Sequence, residues 1–299
     1  GDRAGFVVNA LLFGYLNAAA RAAETGQAAV ADIDAAIVAA CAVPMGPLTL
    51  MDLIGLDVCL DVMETMFDET RDQRYAPAPL LRRLVMAGDL GRKTGRGYYR
   101  YDGGEATASL SRPAFATGTA RARNSVVAVG DRRSRVIELL GLAPVSAADV
   151  ADADVVVVDG GARSGSAELL ARVAKNARPD AVLALATTDE SPVAALTAVT
   201  QRGADVVGLH VPHAPRGGIV EVVATLQSDP GAVATLVEVA RAAGLTALAC
   251  RDRPGYIVDY LVLAHLGDAV RMVDDSYATQ EDVDTAMRLG CGYADGPFA

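Results

Sequence analysis

The side chains able to do acid–base, nucleophilic or metal chemistry are few in this sequence, and their spacing limits what they can do. There are three histidines, His210, His213 and His265, and four cysteines, Cys41, Cys59, Cys250 and Cys291. His210 and His213 are close enough to share a zinc ion. No carboxylate or thiolate stands beside them at ligand spacing, however, and no CxxC or CxxH pattern occurs. The expectation is no metal site, with the cysteines as reduced, buried thiols. Lysine is nearly missing, only Lys93 and Lys175, so arginine carries the positive charge. Lys93 lies in Gly91-Arg92-Lys93-Thr94-Gly95-Arg96-Gly97, a loop in which a cation is solvated or meets an anion. A second turn, Gly130-Asp131-Arg132-Arg133-Ser134-Arg135, sets three arginines at a predicted helix start and leaves weak phosphate binding open. Asn9 sits in the first turns of an apolar helix, where a polar residue by default faces solvent.

These residues must be positioned by a chain of 299 residues, long for one domain and comfortable for two or three. With 52% apolar and 21% charged residues it can bury a sizeable core. A net charge of −10 argues against phosphate-driven nucleic-acid binding, which needs a basic face. No run of eighteen apolar residues and no secretory leader stands out, so the expectation is a cytoplasmic protein with no membrane partner. The opening Gly1-Asp2-Arg3-Ala4-Gly5 reads as the interior of a longer sequence.

An internal repeat organises the chain. Asp2 to Thr49 matches Asp252 to Ala299 at a constant offset of 250, without a gap. Gly5-Phe6-Val7-Val8-Asn9 recurs as Gly255-Tyr256-Ile257-Val258-Asp259, and Gly46-Pro47-Leu48 as Gly296-Pro297-Phe298. The first copy has helical spacing at 6–25, 32–41, 48–54, 58–67 and 80–86, followed by a loop and a short extended tail at 98–101. After 102 the period changes. Short β-branched runs at 126–129, 155–158, 182–185, 206–210, 219–223 and 246–249 alternate with helical patterns at 132–140, 166–174, 192–198 and 231–243. The expected layout is a helical domain over 1–102, a Gly/Ala/Ser/Thr-rich linker over 103–124, a mostly parallel, doubly wound sheet over 125–250, and a partial second helical domain over 251–299. The fold class is therefore multidomain, α and α/β. The apolar stripes at 256–273 and 280–289 are expected to pack on the first helical domain or on another chain.

Four motifs then carry a resemblance. They are Gly5-Phe6-Val7-Val8-Asn9-Ala10-Leu11-Leu12, Pro44-Met45-Gly46-Pro47-Leu48, Asp52-Leu53-Ile54-Gly55-Leu56-Asp57 and Gly91-Arg92-Lys93-Thr94-Gly95-Arg96-Gly97-Tyr98-Tyr99. In this order they resemble the L-3-hydroxyacyl-CoA dehydrogenase family, 3-hydroxybutyryl-CoA dehydrogenases included. The resemblance implies NAD as cofactor, an acyl-CoA substrate, and an NAD-binding Rossmann domain followed by a helical domain for substrate binding and dimerisation. It implies that Asn9 donates to the substrate oxygen and that Lys93 contacts NAD. Leu209-His210-Val211-Pro212-His213-Ala214-Pro215 with Ile219-Val220-Glu221-Val222-Val223 resembles the family's catalytic segment. His210 would accept the 3-hydroxyl proton and Glu221 would orient it, a task that suits an imidazole.

Read against that family, the central domain departs from the pattern. Arg132 and Arg135 stand where the dinucleotide fingerprint has glycines. Only about two dozen residues separate Gly130 from the strand at Val155, and Thr187-Thr188-Asp189-Glu190 replaces an Asn-Thr-Ser-Ser segment. The resulting expectation has two parts. The chain belongs to a tandem member of the family whose first NAD-binding domain precedes Gly1, and the central domain is a degenerate Rossmann unit that does not turn over. The helical copies would pair within one chain, as a pseudo-dimer, or in a homo-oligomer. A non-catalytic scaffold and another β-hydroxyacid dehydrogenase are the rival readings. The Gly91–Tyr99 motif speaks against the latter.

Overall fold

Helical periodicity in the first hundred residues becomes five helices in the computed structural model, which describes residues 6–103, 105–121, 123–131, 133–161, 163–187, 193–213 and 218–299, with 163 and 164 as backbone alone. Asp2-Arg3-Ala4-Gly5, Arg132, Thr188-Asp189-Glu190 and Ala214-Pro215 of the sequence motifs lie outside the described residues. In chain order the helices are α1 (Phe6–Glu24), α2 (Val30–Cys41), α3 (Pro47–Ile54), α4 (Leu56–Thr70) and α5 (Pro79–Met86). A single 3-10 turn at Arg92–Thr94 leads into an antiparallel pair, β1 (Tyr99–Arg100) and β2 (Thr107–Ala108). Six strands follow with their helices: β3 (Val126–Gly130), α6 (Arg135–Leu139), β4 (Val155–Asp159), α7 (Arg163–Asn176), β5 (Val182–Thr187), α8 (Val193–Thr197), β6 (Val206–His210), β7 (Ile219–Ala224), α9 (Pro230–Ala242) and β8 (Thr246–Arg251). The chain closes with α10 (Val258–Asp274) and α11 (Gln280–Cys291). It divides into two units, Gly1–Ser111 with Val258–Ala299, and Arg112–Ile257.

The helical unit is built on α1, whose Leu11, Leu16, Ala19 and Ala20 are buried. By length and composition alone α1 could cross a membrane, but it is the central helix of this unit, packed on α3, α5, α10 and α11. The repeat is visible in backbone detail. Phe6 and its counterpart Tyr256 have φ of 48° and 46°, and α2 and α11 both end on a left-handed residue, Ala42 and Gly292. Asp34 takes hydrogen bonds from the amides of Leu48 (2.8 Å) and Thr49 (2.9 Å), capping α3 from a neighbouring helix. Its counterpart Asp284 accepts from the amide of Phe298 at 2.9 Å. A side chain at Gly46 or Gly296 would strike that aspartate at 2.3 or 2.2 Å, which explains the glycine in both copies.

The sheet unit has strand order β3-β4-β5-β6-β7-β8. Pairing is parallel except between β6 and β7. Val155 to Val158 are all buried, as a strand covered on both faces requires. Val155 and Val157 join a core with Phe115, Ile137 and Leu236, whereas α7 lies against β4 and β5. The sequential order has no reversal, so β3 is an edge. Beyond it, among the described residues, stands an isolated bridge from Ala128 to Pro144, with the Val145 amide donating to the Ala128 carbonyl at 2.8 Å. The segment read as a linker carries its own anchors. Phe115 is buried in the sheet core, and the Arg121 guanidinium spans Asp205 and Asp229, both at 2.8 Å.

Candidate functional site

His210 ends β6 and Glu221 lies on antiparallel β7, and the two are direct register partners. That pairing holds opposed side chains within reach of each other. The His210 Nδ1–Glu221 Oε2 distance is 2.8 Å, with both residues buried at 1% and 0% exposure. The second carboxylate oxygen accepts from the amide of Ile257 at 2.9 Å. A buried carboxylate so paired avoids the penalty of an unpartnered charge. His210 also meets Tyr256, with ring centroids 4.6 Å apart and planes at 49°. The Tyr256 hydroxyl lies 3.1 Å from Thr187 Oγ1, and Thr187 is the neighbour of His210 in the β5–β6 register. Burial pushes the Tyr256 phenol well up, so it stays protonated. The left-handed backbone of a bulky residue such as Tyr256 costs roughly 1–3 kcal/mol, and such strain persists only where its surroundings demand it. In the sequence Tyr256 stands in the repeat, aligned with Phe6, and in an apolar stripe, and neither marks its contact with His210.

A cavity of about 240 Å³ opens at the carboxyl ends of the strands, lined by His210, Thr187, Asp159, Ser166, Arg135 and His213 among others. This is below the roughly 300–1,000 Å³ typical of sites for drug-sized ligands. Arg135 lies beside it at the start of α6, which has only five residues and is capped by Ser134 Oγ accepting from the Ile137 amide at 3.2 Å. Gly130, at φ 149°, serves the sheet, because a Cβ there would meet the Asp159 carbonyl oxygen at 2.0 Å.

The other two expected site residues lie in the helical unit. Asn9 is exposed near the start of α1. Lys93 Nζ sits 2.5 and 2.6 Å from the two oxygens of Asp57, in the first turn of α4, and holds that carboxyl below the ordinary range. Among the described residues no hydrogen bond or ion pair joins Asn9 to Lys93. The loop bearing Lys93 is built around Asp52, which sequence reading took only as part of a motif. Asp52 is buried and accepts from the amides of Tyr98 (3.0 Å) and Tyr99 (2.9 Å) and from the Tyr101 hydroxyl (2.9 Å). Gly91 and Gly97 let the loop close on it, since a Cβ at either would lie 2.4 Å from the Asp52 carbonyl or 2.1 Å from its carboxylate. All four cysteines are free thiols. Burial pushes Cys59 up to about 12 and Cys291 up to about 11, which leaves them protonated and poor nucleophiles.

Comparison with known proteins places these features in a family. Residues 5–101 and 255–299 match the 3-hydroxyacyl-CoA dehydrogenase C-terminal domain, and residues 131–253 match the NAD-binding domain of the same enzymes. The chain belongs to the 3-hydroxyacyl-CoA dehydrogenase family, whose members are NAD-dependent oxidoreductases. A 3-hydroxybutyryl-CoA dehydrogenase of Mycobacterium tuberculosis is 54% identical over 100 residues, covering 33% of this chain and 35% of that protein. The mitochondrial hydroxyacyl-coenzyme A dehydrogenase of Sus scrofa is 36% identical over 132 residues, 44% of this chain and 42% of that protein. The crystal structure of 3-hydroxybutyryl-CoA dehydrogenase from Escherichia coli aligns over 99% of this chain and 52% of that one, with a TM-score of 0.66 and 26% identity. The chain thus spans from about a third to about half of the length of these relatives. One expectation is corrected. The family's NAD-binding domain is not missing from the chain, because its match lies on 131–253.

The residues of that domain fit only part of a dinucleotide. The His210–Glu221 end has the buried polar pair that proton transfer needs. At the other end the turn after Gly130 offers Asp131, Arg133, Ser134 and Arg135, with no glycine to admit a pyrophosphate against the backbone. With β3 at the edge, the strands among the described residues have no switch point and include none beyond β3 on which an adenosine ribose would rest. The described residues therefore do not form a full dinucleotide cradle.

Proposed function

We propose that the chain serves the NAD-dependent oxidation of an L-3-hydroxyacyl-CoA to the 3-oxoacyl-CoA, as a tandem form in which helical, sheet and helical segments follow one another. The names of the relatives suggest 3-hydroxybutyryl-CoA as a substrate. The observation that carries this reading is the buried 2.8 Å contact between His210 and Glu221. In this reading His210 accepts the substrate hydroxyl proton through Nε2, while Glu221 holds the ring through Nδ1 and balances the imidazolium that forms. In the helical unit, and apart from the His210–Glu221 pair, Asn9 supplies an amide to a substrate oxygen and Lys93, in exchange with Asp57, meets a cofactor.

The incomplete cradle at Gly130–Arg135 supports a further part of the proposal: this chain unaided does not reduce NAD. The test is calorimetric titration of NAD onto the chain together with the appearance of NADH from 3-hydroxybutyryl-CoA. No heat at sub-millimolar NAD and no NADH are expected. NADH formation by the chain alone, abolished by His210→Gln, would overturn the inactivity while sustaining the dyad. NADH formation unaffected by His210→Gln would overturn the dyad.

A second reading, a non-catalytic scaffold, is favoured by one observation. Tyr15 and His265, equivalent positions in the repeat, meet with ring centroids 5.5 Å apart, and α1 packs on α10, so the two helical copies contact each other within one chain. Asn9→Ala in a full-length protein that contains this chain and shows turnover separates the readings. A fall in kcat of roughly 10²–10³ favours the site, and unchanged turnover favours the scaffold.

A further inference from the structure

The His210–Glu221 pair does not hold itself in place. An imidazole can rotate about its χ2 bond and present either nitrogen to a neighbouring carboxylate, so the tautomer depends on what fixes the ring plane. Two contacts from one short turn do this. The Ile257 amide takes Glu221 Oε1, leaving Oε2 for the histidine, and the Tyr256 ring lies tilted against the imidazole at 4.6 Å. Tyr256 is itself tied down, buried to 1% exposure with its hydroxyl 3.1 Å from Thr187 Oγ1. The backbone at Tyr256 takes the same left-handed turn as Phe6, yet Phe6 is 69% exposed. The turn is thus a property of the repeat, and the ring-on-ring contact is particular to Tyr256.

We propose that Tyr256 is a positioning residue for His210. Its ring, pinned by Thr187, fixes the imidazole plane so that Nδ1 carries the proton toward Glu221. The proposal rests on the His210–Glu221 reading, and its test separates the two. Only three histidines are present, so the ring nitrogens of the chain labelled with ¹⁵N-histidine can be assigned by single substitutions. A hydrogen bond to a charged carboxylate is strong enough that the Nδ1–H form of neutral His210 should exceed the Nε2–H form by about tenfold or more.

In Tyr256→Leu that ratio is expected to fall to within about twofold of unity, and in Tyr256→Phe, which keeps the ring and loses only the pin, to an intermediate value. Far-UV circular dichroism checks that each variant is folded. If Tyr256→Leu does not fold, Tyr256→Phe decides alone. Wild-type tautomer populations in the folded variants would overturn the positioning role. A wild-type protein without Nδ1–H preference, or one whose preference survives Glu221→Gln, would overturn the dyad reading instead.

Discussion

Asp52 gives both carboxylate oxygens to its own chain, to the amides of Tyr98 and Tyr99 and the hydroxyl of Tyr101, and so shapes the loop that carries Lys93. Truncation at this position leaves two buried amides and a hydroxyl without an acceptor. At about 1–3 kcal/mol per unsatisfied buried donor, the two amides alone should make Asp52→Ala destabilise the chain by roughly 2–6 kcal/mol in urea unfolding followed by circular dichroism. A loss below about 1 kcal/mol would show that water replaces the carboxylate there. At this scale the pairing of His210 with Glu221 was legible, because both fall in one short motif and adjacent strands, whereas nothing in the sequence says what a buried aspartate holds. Asp52 and the amides it binds are 46 and 47 residues apart, and Asp34 and Tyr99 are 65 apart. The left-handed backbone of Tyr256 was equally hidden, since tyrosine is not a residue type that signals it.

Elements were far more legible than the bonds that lock them. All six strands of the sheet and the helices between them fall where β-branched runs and 3.6-residue periods place them, because both faces of the sheet are covered and every strand residue type reports it. The glycine- and alanine-rich stretch after 102 was read as a linker because its composition lacks periodicity, while its anchors are remote. Arg121 reaches Asp205 and Asp229, 84 and 108 residues on. Asp229 also caps α9, accepting from the amides of Gly231 (2.9 Å) and Ala232 (3.2 Å). Asp229→Ala should therefore cost about 1–2 kcal/mol at neutral pH. Arg121 beside it holds its carboxyl below the ordinary range. A carboxyl lowered in the folded state stabilises above the unfolded value near 4, and that contribution is lost as pH falls through the folded value. Unfolding curves of wild type and variant should converge below about pH 4, and a constant difference down to pH 2 or so would refute this account.

For the molecule as a whole, the repeat is the organising fact, and its two helical copies meet at Tyr15 and His265. His265 is buried, and neither ring nitrogen finds a well-formed hydrogen-bond partner among the described residues, although Asp268 and the Leu11 backbone are near. Burial holds its pKa below the ordinary imidazole value. The neutral form is thus favoured in the fold, and stability is lost as pH falls below about 6.5 toward the folded value. His265→Leu should raise stability by roughly 1–2 kcal/mol and flatten its dependence on pH below about 6.5, as read from thermal melts at descending pH. A variant that melts lower at every pH would mean that the imidazole packs better than its unmet nitrogens cost. The repeat itself was legible from a constant offset of 250, but which equivalent residues touch was not, because a seam between copies leaves no periodic mark. One feature of the sheet bears on how such a chain behaves among its neighbours. Beside β3 stands Pro144, whose ring nitrogen has no hydrogen to lend, and Val145 has already engaged Ala128. An incoming strand from another polypeptide finds that rim partly blocked, so on this side the fold resists being extended into a fibril.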